Sequence, residues 1–188
     1  APRIYRIATE MVAEADAVID AATIRDFIDG FQAVTPLNVG ELWALPSMLR
    51  LRLIECLRML AIRVEREQRQ SEQADFWAGR LIAVLRGAPD QLPRIAAELL
   101  REHPAPTPYF ASELVAHLYD EETALPMVAG WLERTLGAPL QEVIQEEERR
   151  RAVEQTSLAN AVTSCRRLMQ IEWRGLVEAV SRLHAELR

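Results

Sequence analysis

NVGELWALPSMLRLRLIECLRMLA, residues 38–61, reads as helix from end to end. Asn38 can cap it, and Glu41 follows three residues later, as a capping box requires. Pro46 either kinks this helix or opens the next one at its first position, where a missing N–H costs nothing. The following helix is expected over Pro46–Gln70. At ~100° per residue, Leu49, Leu53, Leu57, Leu60, Ala61 and Val64 share one side. Arg52, Glu55, Arg63 and Arg66 gather on the other, the expected solvated face. Arg50 falls in the middle of the apolar side. An unpaired buried guanidinium costs several kcal/mol, so it calls for a carboxylate or carbonyl partner. Glu41 is the nearest such group if the chain bends at Pro46; a carboxylate from another helix would serve as well. Three roles fit Arg50: fixing the orientation of neighbouring helices, meeting a partner domain, or binding an anionic ligand such as a nucleotide sugar. Glu41, Trp43 and Arg50 are therefore the candidate structural or interface residues.

The same helical spacing recurs along the chain, and strand signals are nearly absent. Helices are expected over Arg3–Ala15, with Ile4, Ile7, Met11 and Val12 inward, and over Thr23–Val34, with Ile24, Phe27, Ile28 and Phe31 as the stripe. Phe76–Arg86 is a further segment, continuous with the Pro46 helix or separate, stopped by Gly87. Asp90–Glu102 follows. Three prolines within Pro104–Pro108 exclude helix from HPAPTPY (residues 103–109). Thr107-Pro108 then supplies an N-cap and first position for a helix to Tyr119. Leu125–Leu136 ends at Gly137, a good C-cap. A long helix runs from Pro139 towards Met169, and the last covers Trp173–Leu187. The fold class is all-α: a multi-helix bundle of about eight to nine helices with no β-sheet. The expected organisation is one helical domain over residues 1–188, with 103–108 as the place where it would subdivide.

The 188 residues are 49% hydrophobic and 27% charged, ordinary for a globular chain able to form a core without staples. Net charge is −6, all 22 basic residues are arginine, and no basic stripe marks a nucleic-acid binder. No run approaches the ~20 apolar residues a bilayer span needs. APRIYRIATEMVAEA is amphipathic and charged, unlike a signal peptide, and reads as the middle of a longer chain. EEERRR (Glu146–Arg151) is expected to be a solvated face with Glu146–Arg150 and Glu147–Arg151 at i,i+4. Leu158, Val162, Cys165 and Met169 form an expected packing seam, flanked by Ser157, Ala161 and Ser164, whose small size would let another helix approach.

A search for chemistry yields no catalytic set. His103, His117 and His184 are isolated, without Cys or Glu at ligand spacing. Cys56 and Cys165 fall on apolar stripes and read as buried free thiols. There is no glycine-rich phosphate loop, no Asp-x-Asp, and no strand end to hold one. QIEWR (residues 170–174) has Trp and Arg in the wrong order for the Gln-x-x-Arg-Trp signature of processive transferases. Acidic pairs such as Asp26/Asp29 and Glu121/Glu122 are commonplace on helices and turns. Trp43, Trp77, Trp131 and Trp173 could stack on sugars, but each sits on a helical stripe, where core aromatics are the default. No catalytic residue, cofactor-binding residue, metal ligand or cofactor is assigned.

FQAVTPLNVGELWALPSMLRLRLIECLRMLA (residues 31–61) and QTSLANAVTSCRRLMQIEWRGLVEAVS (155–181) resemble the N-terminal region of the cyclic β-1,2-glucan synthases. YRIATEMVAEAD (5–16) also fits, and the spacing between segments agrees. Together they cover a little over a third of the chain; residues 65–153 carry little of the likeness. Two positions depart from the family pattern: Cys56 stands where Asn is usual, and Glu172 where Asp precedes the Trp. The resemblance implies a very large inner-membrane protein that uses UDP-glucose to elongate a β-1,2-glucan held covalently on the protein and then cyclises it. Its transferase core, membrane spans and phosphorylase-like region would lie downstream. This chain would be a non-catalytic segment on the cytoplasmic side of a bacterial inner membrane, without a span of its own, that docks on or orders the transferase core. The rest of the parent polypeptide is the expected partner, glucan a second candidate, and nucleic acid none. Two other readings stay open: a β-1,2-glucan-binding module with an open groove and several exposed Trp or Tyr faces, and an independent helical protein-interaction adaptor.

Overall fold

The computed structural model describes residues 2–121 and 123–181. Among these residues there are eight α-helices and no strand. In order they are α1 (Arg3–Glu14), α2 (Ala21–Val34), α3 (Val39–Gly87), α4 (Leu92–Glu102), α5 (Pro108–His117), α6 (Ala124–Leu136), α7 (Leu140–Gln170) and α8 (Trp173–Val180), with a 3-10 turn at Pro89–Gln91 before α4. The stretch expected beyond Ser181, with His184, lies outside the described residues, as does Glu122.

Local chemistry sets most of the ends. The Asn38 side chain accepts from Glu41 N–H at 2.9 Å while Glu41 Oε2 accepts from Asn38 N–H at 3.0 Å, so two donors that a helix start leaves open are satisfied reciprocally. Asp20 caps α2 through Thr23 N–H, so the helix opens at Ala21, two residues before the expected start. Thr107 Oγ1 caps α5, and the Glu172 carboxylate caps α8 by accepting from Gly175 N–H at 2.5 Å. Gly137 ends α6 at φ 72°, a left-handed conformation in which a Cβ is disfavoured.

Two alternatives left open for α3 are resolved. Pro46 lies inside the helix and opens no new one, and the segments read over 38–45, 46–70 and 76–86 run on as one helix of 49 residues. Proline inside a helix costs about 3 kcal/mol, partly through its missing N–H. Here its ring is buried beside Leu42, Leu45 and Leu49, and that burial offsets part of the loss.

Backbone contacts group the residues into two compact units: Ala1–Ala61 with Glu154–Arg188, and Ile62–Val153. The divisions fall inside α3 and α7. The proline-rich segment 103–108, the expected place of a subdivision, lies within the second unit. In the first unit, Ile4, Ile7 and Met11 of α1 pack with Ile24 and Ile28 of α2, the Leu42–Leu53 row of α3, Ala161 and Leu168 of α7, and Leu176 and Val180 of α8. Buried Gln32 ties α2 to the end of α8 by donating to Val180 O at 2.9 Å. In the second unit, Trp77 and Leu81 pack with Leu99, Phe110, Leu114, Val128 and Leu132.

The α1–α2 connection is a Schellman-type turn built without glycine. Ala17 N–H bonds back to Val12 O at 2.8 Å and Asp16 N–H to Ala13 O at 3.3 Å, with φ of 46° at Asp16 and 60° at Ala17. Left-handed backbone is unfavourable for residues bearing a Cβ, so other contacts must hold it. They come from α7: the Ser164 hydroxyl donates to Ala17 O at 2.6 Å and accepts from Ile19 N–H at 2.7 Å, and Asn160 donates to Asp16 O at 3.1 Å. The expected seam on α7 is therefore displaced by one residue. Leu158 and Met169 are exposed, and the inward row is the small-residue row Ser157, Ala161 and Ser164, continued by Leu168.

Candidate functional site

Between Val39 and Ala61, α3 buries Leu42, Leu45, Pro46, Leu49 and Leu53. Arg50 is exposed, contrary to the expectation of a place among the leucines. The inward row sits roughly 80–90° round the helix from it. Ala61 and Val64, which shifted the expected centre towards Arg50, are themselves exposed. Arg50 does not pair with Glu41; its Nη2 makes one long hydrogen bond, 3.5 Å, to Leu168 O.

Glu41 lies on the opposite side of α3 and faces α1. Arg3 donates to it from Nε at 2.8 Å and from Nη2 at 2.5 Å. These bonds, then that from Asn38 N–H, hold the Glu41 carboxyl below its usual pKa. Glu55 also faces α1, farther along: it accepts from the Tyr5 hydroxyl at 2.5 Å, which pushes the Tyr5 pKa up, and lies 3.6 Å from Arg52 Nη1. The face expected to be solvated at Arg52 and Glu55 is thus half-buried against α1.

The other flank is open. Trp43 is 50% exposed and Ile54 58%, and Leu51 and Val39 are exposed too. Trp43, Arg50 and Ile54 fall within about 40° of one another on the helix, with Leu51 and Arg58 about 40–60° farther round. Trp43 departs from the core placement expected for the tryptophans. Trp77 and Trp131 are buried as expected, and Trp173 is half-buried with its indole N–H donating to Leu168 O at 3.1 Å. The structure thus puts Trp43 and Arg50 together and Glu41 apart. Leu51, Ile54 and Arg58 went unmarked in the sequence, although a wheel centred on Leu49 would have left them outside as apolar and basic residues with no inward neighbour.

The second unit holds a cluster of ionised groups. Glu147 is 4% exposed; Arg150 Nη2 reaches it at 2.5 Å and Glu67 at 2.6 Å. Arg151 Nη2 bonds Glu113 at 2.8 Å and its guanidinium lies 4.2 Å from the Tyr109 ring centre, while the Ser71 hydroxyl donates to Glu113 at 2.9 Å. EEERRR is therefore a split element. Glu146–Arg149 is exposed pairing, and Glu147, Arg150 and Arg151 tie α7 to α3 and α5. Each of the three carboxylates meets a guanidinium. His103 is not isolated. Its Nε2 accepts from Trp77 Nε1 at 3.1 Å, its ring stacks on Phe110 at 4.4 Å, and burial lowers its pKa.

Cys56 and Cys165 are free and half-buried, and burial, with a smaller contribution from Cys56, pushes the Cys165 thiol up. Among the described residues no group of His, Cys, Asp and Glu could hold a metal ion, and no helix is long and apolar enough to cross a membrane.

Fold and surface together define an all-helical segment that pairs a cluster of charged side chains within its second unit and leaves the Trp43–Ile54 flank of α3 open. No protein-family model matches the chain. Over 190 aligned residues it is 32% identical to the cyclic beta-(1,2)-glucan synthase NdvB of Rhizobium meliloti (strain 1021). The alignment takes in all of this chain and 7% of that protein, so the chain resembles, from end to end, one region of a far longer synthase. The similarity includes residues 65–153, where the motifs alone carried little of it.

Proposed function

We propose that this chain is a non-catalytic helical segment of a cyclic β-(1,2)-glucan synthase, on the cytoplasmic side of a bacterial inner membrane, which docks on or orders the glucosyltransferase core of the same polypeptide. The end-to-end likeness to a region of that synthase carries the reading. Two structural facts support it: the carboxylates of the second unit's cluster are each paired with a guanidinium, and α3 leaves a tryptophan and aliphatic side chains on the surface beside arginine. No cofactor is needed by this segment. A glucan-binding module would call for a row of exposed aromatic faces, and Trp77 and Trp131 are in the core.

The purified segment, incubated with UDP-glucose, should transfer no glucose. In the full-length protein, Trp43→Ser combined with Ile54→Ser should impair glucan synthesis while the isolated segment keeps its helicity and unfolding midpoint. Turnover by the segment alone, or full synthesis by the double variant, would refute the reading. Heat released on titrating linear β-1,2-oligosaccharides into the segment would favour the glucan-binding alternative.

A further inference from the structure

We infer that the partner seated on the open flank of α3 is an amphipathic helix carrying carboxylates, a statement that rests on the docking role proposed above and adds what the docked surface is made of. Charge on α3 is sorted by side. Between Val39 and Ala61 its two acids, Glu41 and Glu55, face α1, where Arg3 and Tyr5 engage them. The open flank carries Arg50 and Arg58 and no acid. Arg50 has the single long bond to Leu168 O, and Arg58 has no hydrogen-bond or ion-pair partner among the described residues. Two guanidinium groups with almost all their donors unused therefore bracket exposed Leu51 and Ile54, with Trp43 one to two turns before Arg50.

Spacing narrows the occupant. Residues 50 and 58 lie about 12 Å apart along the axis at ~1.5 Å per residue. A helix lying along the flank would meet both with carboxylates about seven or eight residues apart and apolar side chains between them. A second copy of this chain fits poorly, because an isologous contact would set Arg50 and Arg58 against the same arginines. A membrane surface is also disfavoured: headgroup recognition uses clusters of roughly four to eight basic residues, and this flank has two.

The test uses the full-length protein carrying Arg50→Lys and Arg58→Lys, treated with a carbodiimide that joins amines to carboxylates without a spacer and mapped by peptide mass spectrometry. The introduced amines should become joined to Asp or Glu of one helix outside residues 1–188. Arg58→Glu should lower glucan synthesis about tenfold, as loss of an interface arginine does, and reversal of the mapped acid to Arg should restore it. Absence of coupling, coupling to a second copy, or binding of the segment to phosphatidylserine vesicles that Arg58→Glu abolishes would overturn the inference. If Trp43→Ser with Ile54→Ser impairs synthesis and Arg58→Glu does not, docking stands and the acidic partner falls. If neither affects synthesis, both fall.

Discussion

Ser164→Ala should be the most damaging small substitution in the first unit. The hydroxyl is buried and serves two backbone groups at once, the carbonyl of Ala17 and the N–H of Ile19, both themselves out of water. An unsatisfied buried group costs about 1–3 kcal/mol, so two cost roughly 2–5 kcal/mol, from which about 0.5 kcal/mol is recovered because alanine is the better helix former. The turn being held is left-handed at two residues that carry a Cβ, so it has little intrinsic preference to fall back on. Urea unfolding followed by far-ultraviolet circular dichroism reads the result. With a slope near 2 kcal/mol/M, the midpoint should drop by about 1–2 M. Ser157→Ala, on the same side of α7 but with its hydroxyl in none of these bonds, serves as the control and should shift it by less than about 0.3 M. A Ser164→Ala midpoint as close to the parent as the control's would mean that the hydroxyl does not hold the turn.

Three further outcomes follow from the second unit and its ends. Burial lowers the His103 pKa in the folded state below its unfolded value near 6.5. Its contribution is therefore complete above pH ~6.5 and is lost as pH falls from there towards the folded value; His103→Gln should flatten the stability profile over that range. Glu147→Ala strips a buried carboxylate from beside Arg150 and Arg151 and should destabilise by about 3 kcal/mol, less whatever Glu67 and Glu113 recover, with Glu146→Ala close to neutral. Gly137→Ala forces a Cβ into left-handed backbone and should cost about 1 kcal/mol by the same urea measurement.

What could be read without coordinates was local. The Asn38–Glu41 box, the Thr107 cap and the Gly137 stop each depend on residues within four positions, and all stand where the sequence put them. What could not be read depended on which helix lies alongside. Arg50 is outside because the buried row of α3 is centred on Leu49, a choice made by α1, α2 and α8 and invisible to a helical wheel. The same holds for EEERRR: i,i+4 spacing describes its pairing along α7, but Glu67 and Glu113 stand 83 and 38 residues from their arginines. Ser164 was marked only for its size; its bonds to Ala17 and Ile19 reach across 147 and 145 residues.

Those separations fix an order of assembly. The second unit is one unbroken run of chain, complete once Val153 has been made, whereas the first must wait for residues 154 onward to close around its opening helices. During synthesis at about 5–20 residues per second, the Asp16–Ala17 bend has no latch until Asn160 and Ser164 leave the ribosome, many seconds later. The apolar faces of α1 and α2 stay uncovered on their α7 side for that interval, the one in which a nascent chain of this kind has greatest need of a chaperone.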